Sequence, residues 1–189
     1  MILTTKTIQE IKLHDHTCLL FKNQLEFFHC AIPFMREGIT NNEKCYIVID
    51  EIKKEDVYKN FKNVFREGLI PQEEFTNQGN IVIEQFKNIY LKDGIFDINK
   101  TIETYVSILN KALSDGYSGL RVFAEISSSL QKAINPEEFY LYECKVDKCF
   151  KDNNFIAVCA YDKKYFSEEY LKKSVNIHPV EIDLFSTRL

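Results

Sequence analysis

Seven side chains are of types that bind ligands or carry protons, and they sit where a parallel α/β fold would gather them: His16, Cys18, Arg121, Glu125, Cys159, Asp162 and His178. His16 and Cys18 are two residues apart, so on a strand they point to one face. Cys159 lies inside an apolar run, and His178 precedes Pro179. Two histidines and two cysteines form a competent tetrahedral donor set for a metal ion. The four are scattered, however, and follow no zinc-finger spacing. The sequence reading therefore favours core thiols and hydrogen-bonded imidazoles, and expects neither metal nor cofactor. Cys18 or Cys159 beside His16 or His178 is also a conceivable nucleophile–base pair. Against catalysis, there is no G-x-S-x-G elbow and no local cysteine-protease signature. A cysteine flanked by Val158 and Ala160 is expected to be buried, with its thiol pKa raised and its reactivity lowered. His14 and His29 read as surface residues.

These side chains need elements to hold them, and apolar runs alternate with helical stripes along the chain. Strands are expected at 17–21, 45–49, 80–83, 120–124 and 155–160, with a sixth at 180–185. Helical spacing between them is punctuated by caps at Asn23, Asp97, Asn135 and Ser167 and by Pro136 at a first helical position. Residues 87–96 and Ser127-Ser128-Ser129 read as loops. Strands joined through helices imply a parallel sheet covered on both faces, a three-layer α/β domain. In such sheets ligands sit beyond the carboxyl ends of the strands. Those ends carry Phe21/Lys22, Asp50/Glu51, Glu125 with Ser127, and Tyr161/Asp162. Their carboxylates are expected either to bind something or merely to cap neighbouring helices. Arg121 is anomalous inside an apolar strand and demands an anionic partner, either a structural one such as Glu143 or a ligand.

The first strand–loop–helix junction reads Phe21-Lys22-Asn23-Gln24. A phosphate cradle needs glycines that let backbone amides close on the phosphates, followed by Lys and Ser/Thr. None is present, so nucleotide hydrolysis is not expected. With 189 residues, 45% hydrophobic and 28% charged, the chain supports one ordinary globular domain. Its 24 basic and 28 acidic residues give a net charge of -4 without a basic stripe, which argues against direct nucleic-acid binding. No apolar run approaches membrane-spanning length, residues 1–16 hold no signal-like core, and the six cysteines form no CxxC pair. A cytoplasmic protein with reduced thiols is expected.

Several segments, in order, resemble the MEDS family, the methanogen/methylotroph sensory domain. His16-Thr17-Cys18-Leu19-Leu20-Phe21 resembles its opening H-x-C-x-x-Y. Pro33-Phe34 to Gly38 with Glu43 resembles F-x-x-x-G-L…G-E, and Tyr90, Gly94, Phe96 and Asp97 resemble Y-x-x-x-G-x-F-D. Gly116 to Arg121 with Glu125 resembles G-Y-x-G-L-R…E. Tyr142-Glu143, Cys159-x-Tyr161-Asp162 and His178-Pro179 complete the set, over about residues 14–180. Phe21 stands where the family usually has Tyr, and Gly38–Asn42 lacks a second glycine. The resemblance implies a RecA/KaiC-like fold without a phosphate-binding loop, with residues 1–13 as an extension of a single domain. It also implies sensing of a small organic compound; by residue type, the candidates for binding it are His16, Cys18, Arg121, Glu125, Cys159, Asp162 and His178. No output segment is evident, so a partner protein is expected to carry the response, and a homodimer is compatible with the sequence. A metal- or nucleotide-dependent enzyme on a remodelled ATPase scaffold and a ligand-free protein-interaction scaffold remain the rival readings.

Overall fold

Fourteen strands and helices make the fold, seen in a computed structural model that describes residues 4–66 and 79–182. In chain order they are β1 (Thr4–Lys6), β2 (His16–Phe21), α1 (Gln24–Thr40), β3 (Lys44–Ile49), α2 (Lys54–Arg66), β4 (Ile81–Gln85) and α3 (Phe86–Tyr90), then α4 (Ile98–Ser114), β5 (Leu120–Ile126), α5 (Ser128–Ala133), α6 (Pro136–Lys151), β6 (Phe155–Asp162), α7 (Glu168–Ile177) and β7 (Val180–Ile182). All seven strands pair parallel in the order β1-β7-β2-β6-β5-β3-β4. The expected α/β class and parallel sheet are therefore present. β5 and β6 are buried along their whole length, as continuous apolar strands in a covered sheet should be.

Alternation along the strands separates two cores. Leu19, Phe21, Phe123, Val158 and Ala160 face the side covered by α1 and α2. Cys18, Val122, Ala124, Cys159 and Tyr161 face the side covered by α3, α4, α6 and α7. The expected caps form: the side chains of Asn23, Asp97, Asn135 and Ser167 accept from Glu26, Lys100, Glu137 and Tyr170 amides. No helix among the described residues is long and apolar enough to cross a membrane.

Four expectations need correction. Residues 87–96 are not a plain loop: Phe86, Ile89 and Tyr90 recur at helical spacing, bury together as α3, and are followed by a 3-10 turn at Lys92–Gly94. Ser127–Ser129 starts α5, because Ser127 Oγ and the Ser129 amide and hydroxyl all donate to the Asp50 carboxylate. The amino-terminal stretch supplies β1, whose partner is β7. Arg121 does not meet Glu143, because residue 121 points to the α1 face. There it is paired with Glu43, with Nη1 donating to the Phe34 carbonyl at 3.3 Å. The sixth expected strand ends, within the described residues, at Ile182.

Gly38 makes room for that arginine. A Cβ at position 38 would clash with Cys45 Sγ and stand 2.7 Å from Arg121 Cδ. Gly38→Ala is expected to cost about 1–3 kcal/mol of overpacking, read as a lower urea midpoint at unchanged slope.

Candidate functional site

β2 and β6 place two cysteines side by side, since Cys18 and Cys159 are register partners. His16, two residues before Cys18, and Tyr161, two after Cys159, share their face. Above them lies α6, whose apolar stripe of Phe139, Tyr142, Val146 and Phe150 is interrupted by the buried Glu143. Asp147 follows one turn on. The fourth wall is the end of α7. Pro179 disfavours helical geometry at the residue before it, so α7 ends at Ile177 and His178 is extended at φ -79, ψ 131. Its Nδ1 lies 2.7 Å from the Ser174 carbonyl, one turn back.

The result is a polar knot in a dry layer. His16 Nε2 is 3.2 Å and His178 Nε2 is 3.5 Å from Glu143 Oε2, while Tyr161 donates its hydroxyl to Oε1 at 3.0 Å. Cys159 Sγ lies 3.4 Å from His16 Nε2 and 3.8 Å from Glu143 Oε2. The two imidazole centroids are 4.3 Å apart. His16 and His178 are wholly inaccessible to solvent (0% exposed), yet His16 Nδ1 and His178 Nε2 have no hydrogen-bond partner among the described residues. Asp147 Oδ1, 3.8 Å from His16 Nδ1, is also unsatisfied. Unpaired buried nitrogens each cost about 1–3 kcal/mol, so the arrangement is costly as pure scaffolding. Its donors, two imidazoles, a carboxylate and a thiol, are those of a transition-metal site.

Electrostatics follow the geometry. Burial opposes the imidazolium of His16, but the Asp147 and Glu143 carboxylates outweigh it and raise its pKa. Burial also opposes the charged form of Glu143, and here His16 and His178 outweigh it and hold the carboxyl well below its usual range. Burial, reinforced by Glu143, pushes the Cys159 and Cys18 thiols well up.

The structure thus brings His16, Cys18, Cys159 and His178 onto one face and adds Glu143, Asp147 and Tyr161. The remaining three expected site residues have own-chain partners elsewhere. Arg121 holds Glu43 on the opposite face. Glu125 accepts the amides of Asp50, Glu51 and Ile52 and the Ser127 hydroxyl. Asp162 caps the Lys164 amide and pairs with its ammonium. Glu143 was legible as a carboxylate inside an apolar helical stripe; Asp147 carried no such signal.

The first junction is sealed in a comparable way. The Lys22 amide donates to Glu26 Oε2 at 2.7 Å and the Glu26 amide to Asn23 Oδ1 at 3.0 Å, so side chains of this junction engage two of its amides. Near the knot, a cavity of about 560 Å³ opens between α7 and strands β2 and β7. Leu20, Leu171 and Val175 give it apolar walls, and Lys172, Asn176 and Glu181 a polar rim.

The model of the MEDS family, described as the methanogen/methylotroph, DcmR sensory domain, matches residues 15–179. This chain belongs to the MEDS family. The matched span opens beside His16 and closes beside His178, so the two histidines that meet in the knot bracket the MEDS domain. Membership gives the chain a sensory, regulatory role. Among curated relatives, it is 21% identical over 172 residues to the transcriptional repressor DcmR of Methylorubrum extorquens strain DM4. That alignment covers 89% of this chain and 60% of DcmR, so the chain spans about three fifths of that relative's length. Among solved structures, a KaiC-like protein from the hyperthermophilic archaeon Pyrococcus horikoshii OT3 superposes with a TM-score of 0.53 at 11% identity. It covers 86% of this chain and 68% of its own, and establishes a KaiC-like fold for the MEDS domain.

Proposed function

We propose that this MEDS domain binds a small organic compound in the cavity beside α7 and passes the occupancy to a partner protein, without hydrolysing nucleotide. The cavity carries the reading. About 560 Å³ with apolar walls and a few polar groups at the rim is the form and size of a small-molecule site. Helix α7 connects it to the knot: Leu171 and Val175 face the cavity, and His178 caps the same helix. A compound that shifts α7 is therefore felt at Glu143. The start of α1 supports the non-hydrolytic part, because it has no glycine and the Lys22 and Glu26 amides are already engaged by Glu26 and Asn23 where a phosphate would have to be cradled. Glu125 and Asp50 are committed to the chain's own amides and hydroxyls in the same sense. The greater length of DcmR and its description as a repressor favour output through another domain or protein.

A thermal-shift screen with short-chain alcohols, aldehydes, carboxylates and haloalkanes tests this. At least one class is expected to raise the melting temperature of the wild type, since a ligand selective for the folded state must stabilise it. Val175→Trp, which fills the cavity, is expected to abolish that shift. Mg-ATP is expected to give neither a shift nor phosphate release. Steady ATP hydrolysis, or ligand shifts that survive Val175→Trp, would overturn the reading.

A further inference from the structure

The buried knot has the geometry of a coordination shell. In a tetrahedral site with bonds of about 2.0–2.3 Å, neighbouring donors lie about 3.3–3.8 Å apart. The separations here are 3.2 Å (His16 Nε2 to Glu143 Oε2), 3.4 Å (Cys159 Sγ to His16 Nε2), 3.5 Å (His178 Nε2 to Glu143 Oε2) and 3.8 Å (Cys159 Sγ to Glu143 Oε2). All four donors lie within 4.8 Å of one another. We propose that His16 Nε2, Glu143 Oε2, Cys159 Sγ and His178 Nε2 bind one divalent transition-metal ion of the zinc class.

Three further features point the same way. The Ser174 carbonyl accepts from His178 Nδ1–H at 2.7 Å, which orients the ring with Nε2 toward the Glu143 carboxylate. That nitrogen is wholly buried and has no hydrogen-bond partner among the described residues, and a bound cation would give it a partner. Ser174 holds His178 and Tyr161 binds the other oxygen of Glu143, so two of the four ligands have an outer group that orients them, while Asp147 stands 3.8 Å behind His16 Nδ1. Finally, one thiolate, one carboxylate and two neutral imidazoles around a dication sum to zero charge, the cheapest state for a site this dry. All four positions are filled by protein, so the ion ties β2, α6, β6 and α7 together rather than activating water. The inference does not depend on the cavity beside α7, and either can fail alone.

The test strips the full chain with a chelator, adds Zn²⁺ or Co²⁺, and desalts. About one zinc per chain is expected to remain, and cobalt is expected to give intense tetrahedral ligand-field bands with a thiolate-to-cobalt band in the near ultraviolet. Cys159→Ser, nearly isosteric, is expected to keep the wild-type circular dichroism and lose the thiolate band. Cys144→Ser, at an exposed cysteine, is expected to change nothing. His178→Gln is expected to abolish the zinc-induced rise in melting temperature and serves if Cys159→Ser does not fold. No zinc retained by the wild type, a thiolate band that survives Cys159→Ser or vanishes in Cys144→Ser, or an undiminished zinc shift in His178→Gln would overturn the proposal.

Discussion

Arg121→Met is expected to lower the unfolding free energy by about 3–5 kcal/mol, because it strips a buried ion pair of one member. Arg121 is 1% exposed and Glu43 is 3% exposed, so neither charge has water to fall back on. The guanidinium also lies 4.3 Å from the Phe34 ring centroid and donates to the Phe34 carbonyl, contacts that methionine keeps only in part. The double variant Arg121→Met, Glu43→Leu removes both charges at once. It is expected to recover most of the loss, since apolar replacement of a whole buried pair is often neutral or better. Urea denaturation of the two singles and the double forms a thermodynamic cycle. A double variant no more stable than the worse single would mean that the arginine acts through the Phe34 carbonyl and ring rather than through Glu43.

The second large effect is expected at Glu143. In chelator-treated protein, Glu143→Ala is expected to cost about 3–5 kcal/mol, because one carboxylate serves two imidazoles and the Tyr161 hydroxyl at once. Its pH profile has a definite sign. His16 has a pKa raised above its ordinary 6.5, so its contribution is complete below that value and is lost as pH rises through the raised one. Glu143 has a pKa lowered from its ordinary 4.5, so its contribution is complete above that value and is lost as pH falls through the lowered one. The gap between wild type and variant is therefore widest from about pH 4.5 to 6.5 and narrows on both sides, as urea midpoints over a pH series would show. A gap independent of pH would mean that packing, and not charge, is what Glu143 supplies.

Those two carboxylates also mark where the sequence was informative and where it was not. Apolar runs such as 120–124 and 155–160 were legible as strands because a sheet covered on both faces demands them, and Pro136 and the capping side chains located helix starts. β1 was not legible: Thr4-Thr5-Lys6 is short and polar, and is a strand only because β7 lies beside it. Arg121 announced that it needed an anion, but which glutamate faced it depended on the side of the sheet, and that parity placed it with Glu43. His16 and Cys18 announced a shared face. That Cys159 and His178 would reach the same point, more than 140 residues away, depended on strand register and on where α7 stops. Neither is carried by local pattern.

The strand order has a consequence for how this domain comes into being. β7 lies between β1 and β2, so the amino-terminal strand has no neighbour to bond until residues 180–182 arrive. The β5-β3-β4 side of the sheet can form on a ribosome while β1 waits, and closing that long loop is slow relative to local pairing. Three residues near the carboxyl end thus anchor two strands. Deleting them would leave β1 unmoored and bare the flank of β2 that carries His16 and Cys18, so damage at residues 180–182 is felt at residues 4–18.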